Sequence, residues 1–161
     1  MRASLAIGVA AAAVALVGCG LHLQGREAVP HAFASACLEA EDAQSDFVQA
    51  LSRSLTASGI QLERDCARAE AVVRISRDEV QERVLSVSAR NIPREFELTY
   101  RVEFGVKKGA SELLAPRELS LVRDFTFDET ILLAKEREQR LLEDALARDL
   151  AALVMRQLAA L

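Results

Sequence analysis

The sequence has 161 residues, with 20 basic against 24 acidic side chains, 51% apolar residues and seven aromatics, a size that fits one globular domain and not two. A net charge of −4 argues against a general nucleic-acid binder, which needs a strong basic excess to neutralise phosphates. A chain starting at Cys19 keeps 143 residues and, without Arg2, 19 basic against 24 acidic groups, a net charge near −5.

Leu5 to Val17 is a run of 13 uncharged, mostly aliphatic residues behind Arg2. A helix needs about 20 consecutive apolar residues to cross a bilayer core, so the run reads as the centre of a signal peptide over residues 1–18. Leu16-Val17-Gly18-Cys19 follows it and resembles the lipobox of bacterial lipoproteins. The resemblance implies cleavage before Cys19 and acylation of that residue, and Gly20 in place of Asp resembles the outer-membrane sorting class. Each buried acyl CH₂ is worth about 0.8 kcal/mol, so several chains hold a protein on a membrane. Residues 19–30, with Gly20, Gly25 and Pro30 and no apolar period, form a lipidated tether, and residues 31–161 a single domain.

His31 to Leu38 is the first expected strand. Export to an oxidising compartment bears on Cys37 and Cys66, the only intramolecular pair once Cys19 is lipidated. A bridge between them closes a loop of about 29 residues and contributes roughly 3.5 kcal/mol in the chain-entropy model. Two buried free thiols are the alternative. His22 and His31 make no ligand spacing with the cysteines, so neither a metal site nor a cofactor is expected.

Phe47 to Ser58 reads as a helix. Ser45 or Asp46 can cap it, Phe47, Leu51 and Leu55 recur every four residues, and Gly59 supplies a left-handed C′ position that would bring Ile60 against Leu55. From Ala71 the period becomes two: Val73 and Ile75 alternate with polar residues, and after a bend near Asp78 the segment Val80 to Ser88 continues with Leu85 and Val87 facing one way. Phe96, Leu98, Tyr100, Val102, Phe104 and Val106 then alternate strictly with polar or small residues, which defines a strand with one buried and one polar face. Lys107-Lys108-Gly109 makes a turn. Leu119, Leu121, Phe125 and Phe127 repeat the alternation with Arg123 the odd member, and Pro116 marks that strand's edge or start.

The last 30 residues read as a long helix capped by Asp128, with Leu142, Leu146, Leu150, Val154, Leu158 and Leu161 in one stripe and Glu136–Arg140 and Asp144–Arg148 as i,i+4 pairs. The order β-α-β-β-β-α implies an α+β fold: a mainly antiparallel four-stranded sheet with both helices packed on one face and a charged opposite face.

Catalytic chemistry is poorly provided. Both histidines lie where no rigid element positions them, and the scattered glycines build no phosphate loop. Glu95, Glu97 and Glu103 share a strand face and could pair with Asp124 or Asp128 as acid and base, although a solvated polar face explains them as well. No enzyme is expected.

Several blocks in series are similar to the lipopolysaccharide-assembly lipoprotein family LptE. They are Cys19-Gly20-Leu21-His22-Leu23-Gln24-Gly25; Leu85-Ser86-Val87-Ser88 followed by Arg94-Glu95-Phe96-Glu97-Leu98-Thr99-Tyr100; Arg123-Asp124-Phe125-Thr126-Phe127-Asp128-Glu129; and Leu133-Ala134-Lys135-Glu136 with Glu138. Gln24 stands where Arg is common, Ile92-Pro93 replaces a Gly-containing turn, and the Cys37 and Cys66 pair is no family feature. The resemblance implies an outer-membrane, periplasm-facing lipoprotein that plugs the LptD barrel, helps it fold, and contacts lipopolysaccharide on its way to the outer leaflet. It implies lipopolysaccharide contacts at Arg90 and Lys135; Arg94 joins them on charge alone. A general periplasmic ligand-binding or transport-accessory lipoprotein is the alternative.

Overall fold

The computed structural model describes residues 32–126 and 132–161, with the side chains of the final helix from Glu136 onward. The signal peptide, Cys19, the tether, His31, Phe127 and Asp128 lie outside the described residues. Strand β1 (Ser35–Ala40) leads to helix α1 (Asp46–Ala57) and a short strand β2 (Gln61–Leu62). Three long strands follow, β3 (Ala71–Val87), β4 (Pro93–Lys108) and β5 (Ser111–Thr126), and then helix α2 (Leu132–Leu158).

Local chemistry sets α1. Ser45 is its N-cap, with Oγ accepting from the Val48 N–H at 3.1 Å. Gly59 takes φ 94°, and the Ile60 N–H donates to the Leu55 carbonyl and the Gly59 N–H to the Thr56 carbonyl, each at 3.1 Å. Those two bonds are a Schellman motif, which satisfies carbonyls the helix end would leave orphaned. Phe47, Leu51 and Leu55 are fully buried on the inner face.

The sheet is mixed and has five strands, in the order β2-β1-β3-β4-β5. β1 pairs parallel with both β2 and β3, while β3, β4 and β5 are antiparallel neighbours. The sheet therefore corrects the four-stranded expectation in its count and at one side only. A strand of two residues has no readable period, and parallel neighbours need a crossover, which α1 supplies. β1 spans Ser35–Ala40, not His31–Leu38.

All six apolar residues of β4 are buried, since β4 lies inside the sheet with its apolar row under the helices. The bend expected near Asp78 is a register shift between Ile75 and Arg77 within one continuous strand. It leaves Val80 opposite Tyr100 and Val84 opposite Phe96, on the helix-facing side, and a second shift sets Leu85 between the paired Val84 and Ser86. Pro116 does not start β5 but sits within it, at another shift, where Gly105 lets the strands close up. A Cβ on Gly105 would lie 3.2 Å from the Leu114 carbonyl oxygen and 3.3 Å from the Pro116 nitrogen. Pro is tolerated there because β5 is an edge strand and the ladder is already interrupted.

In α2, Leu146, Leu150, Val154 and Leu158 are buried, Leu142 packs against the core and Leu161 is exposed beyond the helix end. At the base of the sheet Cys37 and Cys66 are joined by a disulfide, with Cα atoms 5.0 Å apart, which ties the loop before β3 to β1. The chain's entry is held there too: Lys108 Nζ donates to the Ala32 carbonyl at 2.9 Å and pairs with Glu70 at 3.3 Å.

Candidate functional site

β3 and β4 run on beyond the part of the sheet that β1 flanks. β1 makes its last pairing at Ala40 opposite Ile75, so among the described residues β3 has a free backbone edge from there to Val87. The hairpin closes through three residues. Ser88 N–H donates to the Ile92 carbonyl at 2.7 Å, Asn91 N–H to the Ser88 carbonyl at 2.9 Å, and Ile92 N–H to Ser88 Oγ at 3.1 Å. Asn91 has φ 60°, the left-handed conformation that Asn tolerates and that ends this kind of hairpin loop. Asn91 thus does here what a glycine does elsewhere, and Ile92-Pro93 leaves the tip tight. Arg90 sits exposed on the crest, and Arg94 is exposed between the paired Pro93 and Glu95.

α2 runs antiparallel to β5, because Arg123 reaches Asp149 and Arg117 reaches Gln157, both at 3.3 Å. Arg123, the odd member of its row, is explained by that ion pair. At 1.5 Å per residue, the backbone of Lys135 lies about 21 Å beyond Asp149 toward the helix start. Leu98 is opposite Arg123, and from Leu98 to the turn at Asn91 the strand also rises about 23 Å. The opening of α2 and the hairpin crest therefore share one end of the sheet; the Lys135 side chain lies outside the described ones.

The outer sheet face is a lattice of arginines and carboxylates. Arg83 meets Glu97 at 3.0 Å, Arg77 meets Glu118 at 2.7 Å, Arg101 approaches Glu118 at 4.0 Å, and Ser86 Oγ donates to Glu95 at 2.6 Å. Glu97 lies opposite Asp124, but Arg83 neutralises it from the other side, and Glu103 lies opposite Glu118. Exposed pairs of this kind contribute about 0–1 kcal/mol each and do not poise a proton for transfer. A surface cleft of about 440 Å³ lies at the end of β1 beside Asp78 and another of about 410 Å³ nearer the base, and among the described residues no charged side chain is buried in either.

The family model of LptE, described as lipopolysaccharide-assembly, matches residues 32–158. The chain belongs to the LptE family. Its fold is shared with solved lipoprotein structures. A minor lipoprotein from Acinetobacter baumannii is 24% identical with a TM-score of 0.67, over 81% of this chain and 94% of that one. Rare lipoprotein B from Shewanella oneidensis is also 24% identical, with a TM-score of 0.68 over 78% and 94%. An uncharacterized lipoprotein B from Nitrosomonas europaea is 27% identical, with a TM-score of 0.71 over 88% and 91%. No curated protein matches the chain. As an LptE-family member it is a lipopolysaccharide-assembly lipoprotein, a role in assembly and not in catalysis.

One contact of this LptE fold was not legible in the sequence. Asp78 joins the helix layer to the hairpin: it accepts hydrogen bonds from the N-cap hydroxyl of Ser45 and, at 2.8 Å, from the Tyr100 hydroxyl. Burial first, then the hydrogen bond to Asp78 and its charge, hold the Tyr100 phenol far above its ordinary titration range. The junction fixes where α1 starts, beside the stretch of β3 whose apolar side chains are exposed. Its only sequence signal was an acidic residue breaking the apolar alternation of β3.

Proposed function

We propose that this chain is an outer-membrane lipoprotein, anchored through Cys19 and facing the periplasm, that acts as plug and assembly partner of an LptD-like barrel and helps insert lipopolysaccharide into the outer leaflet. The observation that carries it, in a member of a lipopolysaccharide-assembly family, is the separation of the molecule's two ends. Ala32, where the tether enters, is held at the base by Lys108, and the crest stands at the other end of β4. Sixteen strand residues set those ends about 50 Å apart. The tether from Gly20 to His31 adds a reach of up to about 40 Å, and a bilayer core is about 30 Å thick. An anchor in the inner leaflet thus leaves ample length for the crest to stand at the level of the outer leaflet.

The charged outer sheet face suits a polar barrel interior. Lipid A phosphates call for forked or point-charge donors, which Arg90, Lys135 and Arg94 provide. A lysine in the first turns of a helix is opposed by the helix dipole, by about 0.3 to 1 kcal/mol, so helix stability does not account for Lys135. The test is the double variant Arg90→Glu with Lys135→Glu, measured for binding to purified lipopolysaccharide and for recovery of the barrel from detergent-solubilised outer membranes. Weaker lipopolysaccharide binding with an intact complex is expected. Unchanged binding, or joint loss of complex and fold, rules out a separate cationic site. Palmitate labelling should mark the wild type and not Cys19→Ala.

A further inference from the structure

The exposed large apolar side chains of the described residues are concentrated on one stretch of β3. Val80, Val84, Leu85 and Val87 are 38, 45, 42 and 52% exposed. Val80 and Val84 stand opposite Tyr100 and Phe96, so they prolong the helix-facing row past the point where Ser45 and Asp78 mark the start of α1, with Glu82, opposite Leu98, between them on the same face. Phe96 stacks on Phe125 with ring centroids 5.3 Å apart, which gives the strip a rigid apolar neighbour. The strip ends at the tip that carries the exposed Arg90 and Arg94.

We infer that this strip, Val80 to Val87, seats an acyl chain of the lipopolysaccharide whose phosphates meet the cationic tip; the inference rests on the function proposed above. An apolar surface that ends on cations is the complement of an amphiphile with an anionic head. From Val80 to Val87 the strand rises about 23 Å, against about 15 Å for half of a bilayer's hydrocarbon core, so a chain has room to lie along it. Two other occupants fit less well. An added strand would use the backbone edge from Ile75 to Val87, but register shifts at both ends of that edge and Arg77, Glu79, Glu82 and Arg83 along it are features that blunt edges. A second copy of the chain, in the register that sets Val80 against Val84 of its partner, brings two Glu82 side chains together, and like charges directly opposite are destabilising.

The experiment compares purified lipopolysaccharide with its fully deacylated form, which keeps the phosphates, for the full-length protein and for a Val80→Thr, Val84→Thr, Val87→Thr variant. Threonine keeps the branched shape of these exposed strand positions. The wild type should bind the intact form at least about tenfold more tightly, a margin equal to fewer than two methylene groups leaving water. The variant should lose that margin while binding the deacylated form as the wild type does. The comparison within the wild type needs no variant to fold. Equal wild-type binding of the two forms overturns the acyl seat and leaves the proposed function standing, and so does a margin that survives in the variant. If the wild type binds neither form, the proposed function falls and the acyl seat with it. A wild-type dimer that the variant abolishes overturns the acyl seat in favour of a second copy.

Discussion

Val73 and Val84 lie on the same strand and the same helix-facing side, yet Val73 is fully buried and Val84 is 45% exposed. Between them stand the register shift after Ile75 and the junction of Asp78 with Ser45 and Tyr100. The base half of the sheet has two helices over it, a disulfide and a clamped chain entry; the tip half of β3 has, among the described residues, a free edge and open valines. Stability is concentrated in the first half, and the second is left able to touch something else. Core burial, at about 25 cal/mol per Å² of apolar area, extends into the tip half through Phe96 and Phe125 but leaves out the open valines of β3.

The largest effect should come from opening the base. Phe47→Ala empties a fully buried site under α1 and should cost about 4 kcal/mol in urea unfolding, against less than about 1 kcal/mol for Val84→Ala at the tip. Equal costs would break the division between the halves. Next is the disulfide: Cys37→Ser with Cys66→Ser should cost roughly 3.5 kcal/mol, and non-reducing mass spectrometry of the exported protein should show the linked peptide. Two alkylatable thiols in the native protein would remove that contribution from the base.

The junction between the halves gives a smaller effect. Tyr100→Phe removes the 2.8 Å bond to Asp78 and should cost about 1.5 kcal/mol. Tyr100 is the chain's only tyrosine, so its ionisation can be followed by absorbance without assignment. The unfolded phenol titrates near its ordinary 10.0, while burial and Asp78 raise the folded value. The Tyr100 contribution is therefore complete below pH 10 and declines as pH rises above it toward the folded value. The Tyr100→Phe variant, with no phenol to ionise, should show no such decline, and a native phenol that ionises near pH 10 would refute the junction. Smallest of all, Val84→Thr should change stability by less than about 0.5 kcal/mol, since it exchanges one exposed branched side chain for another.

What the sequence determined by itself is what depends on near neighbours along the chain. The Ser45 cap, the Phe47, Leu51 and Leu55 stripe and the Gly59 ending are all local, and they produced α1 nearly residue for residue. Strict alternation from Phe96 to Val106 likewise settled β4, because a period of two leaves one way to bury six apolar side chains. Tertiary structure decided the rest. β2 exists only because β1 offers two residues an edge, and the parallel pairing of β1 follows from where α1 returns the chain. The register shifts at Ile75, Val84 and Phe104 depend on the facing strand, so the side on which Val80 and Val84 fall could not be counted from sequence. Arg90, Arg94 and Lys135 were legible as cations, but that the hairpin crest and the opening of α2 share one end of the sheet depends on α2 running antiparallel to β5 through Arg123 and Asp149. Those contacts join residues 26 apart, and a pairing across that distance leaves no periodic trace in the chain.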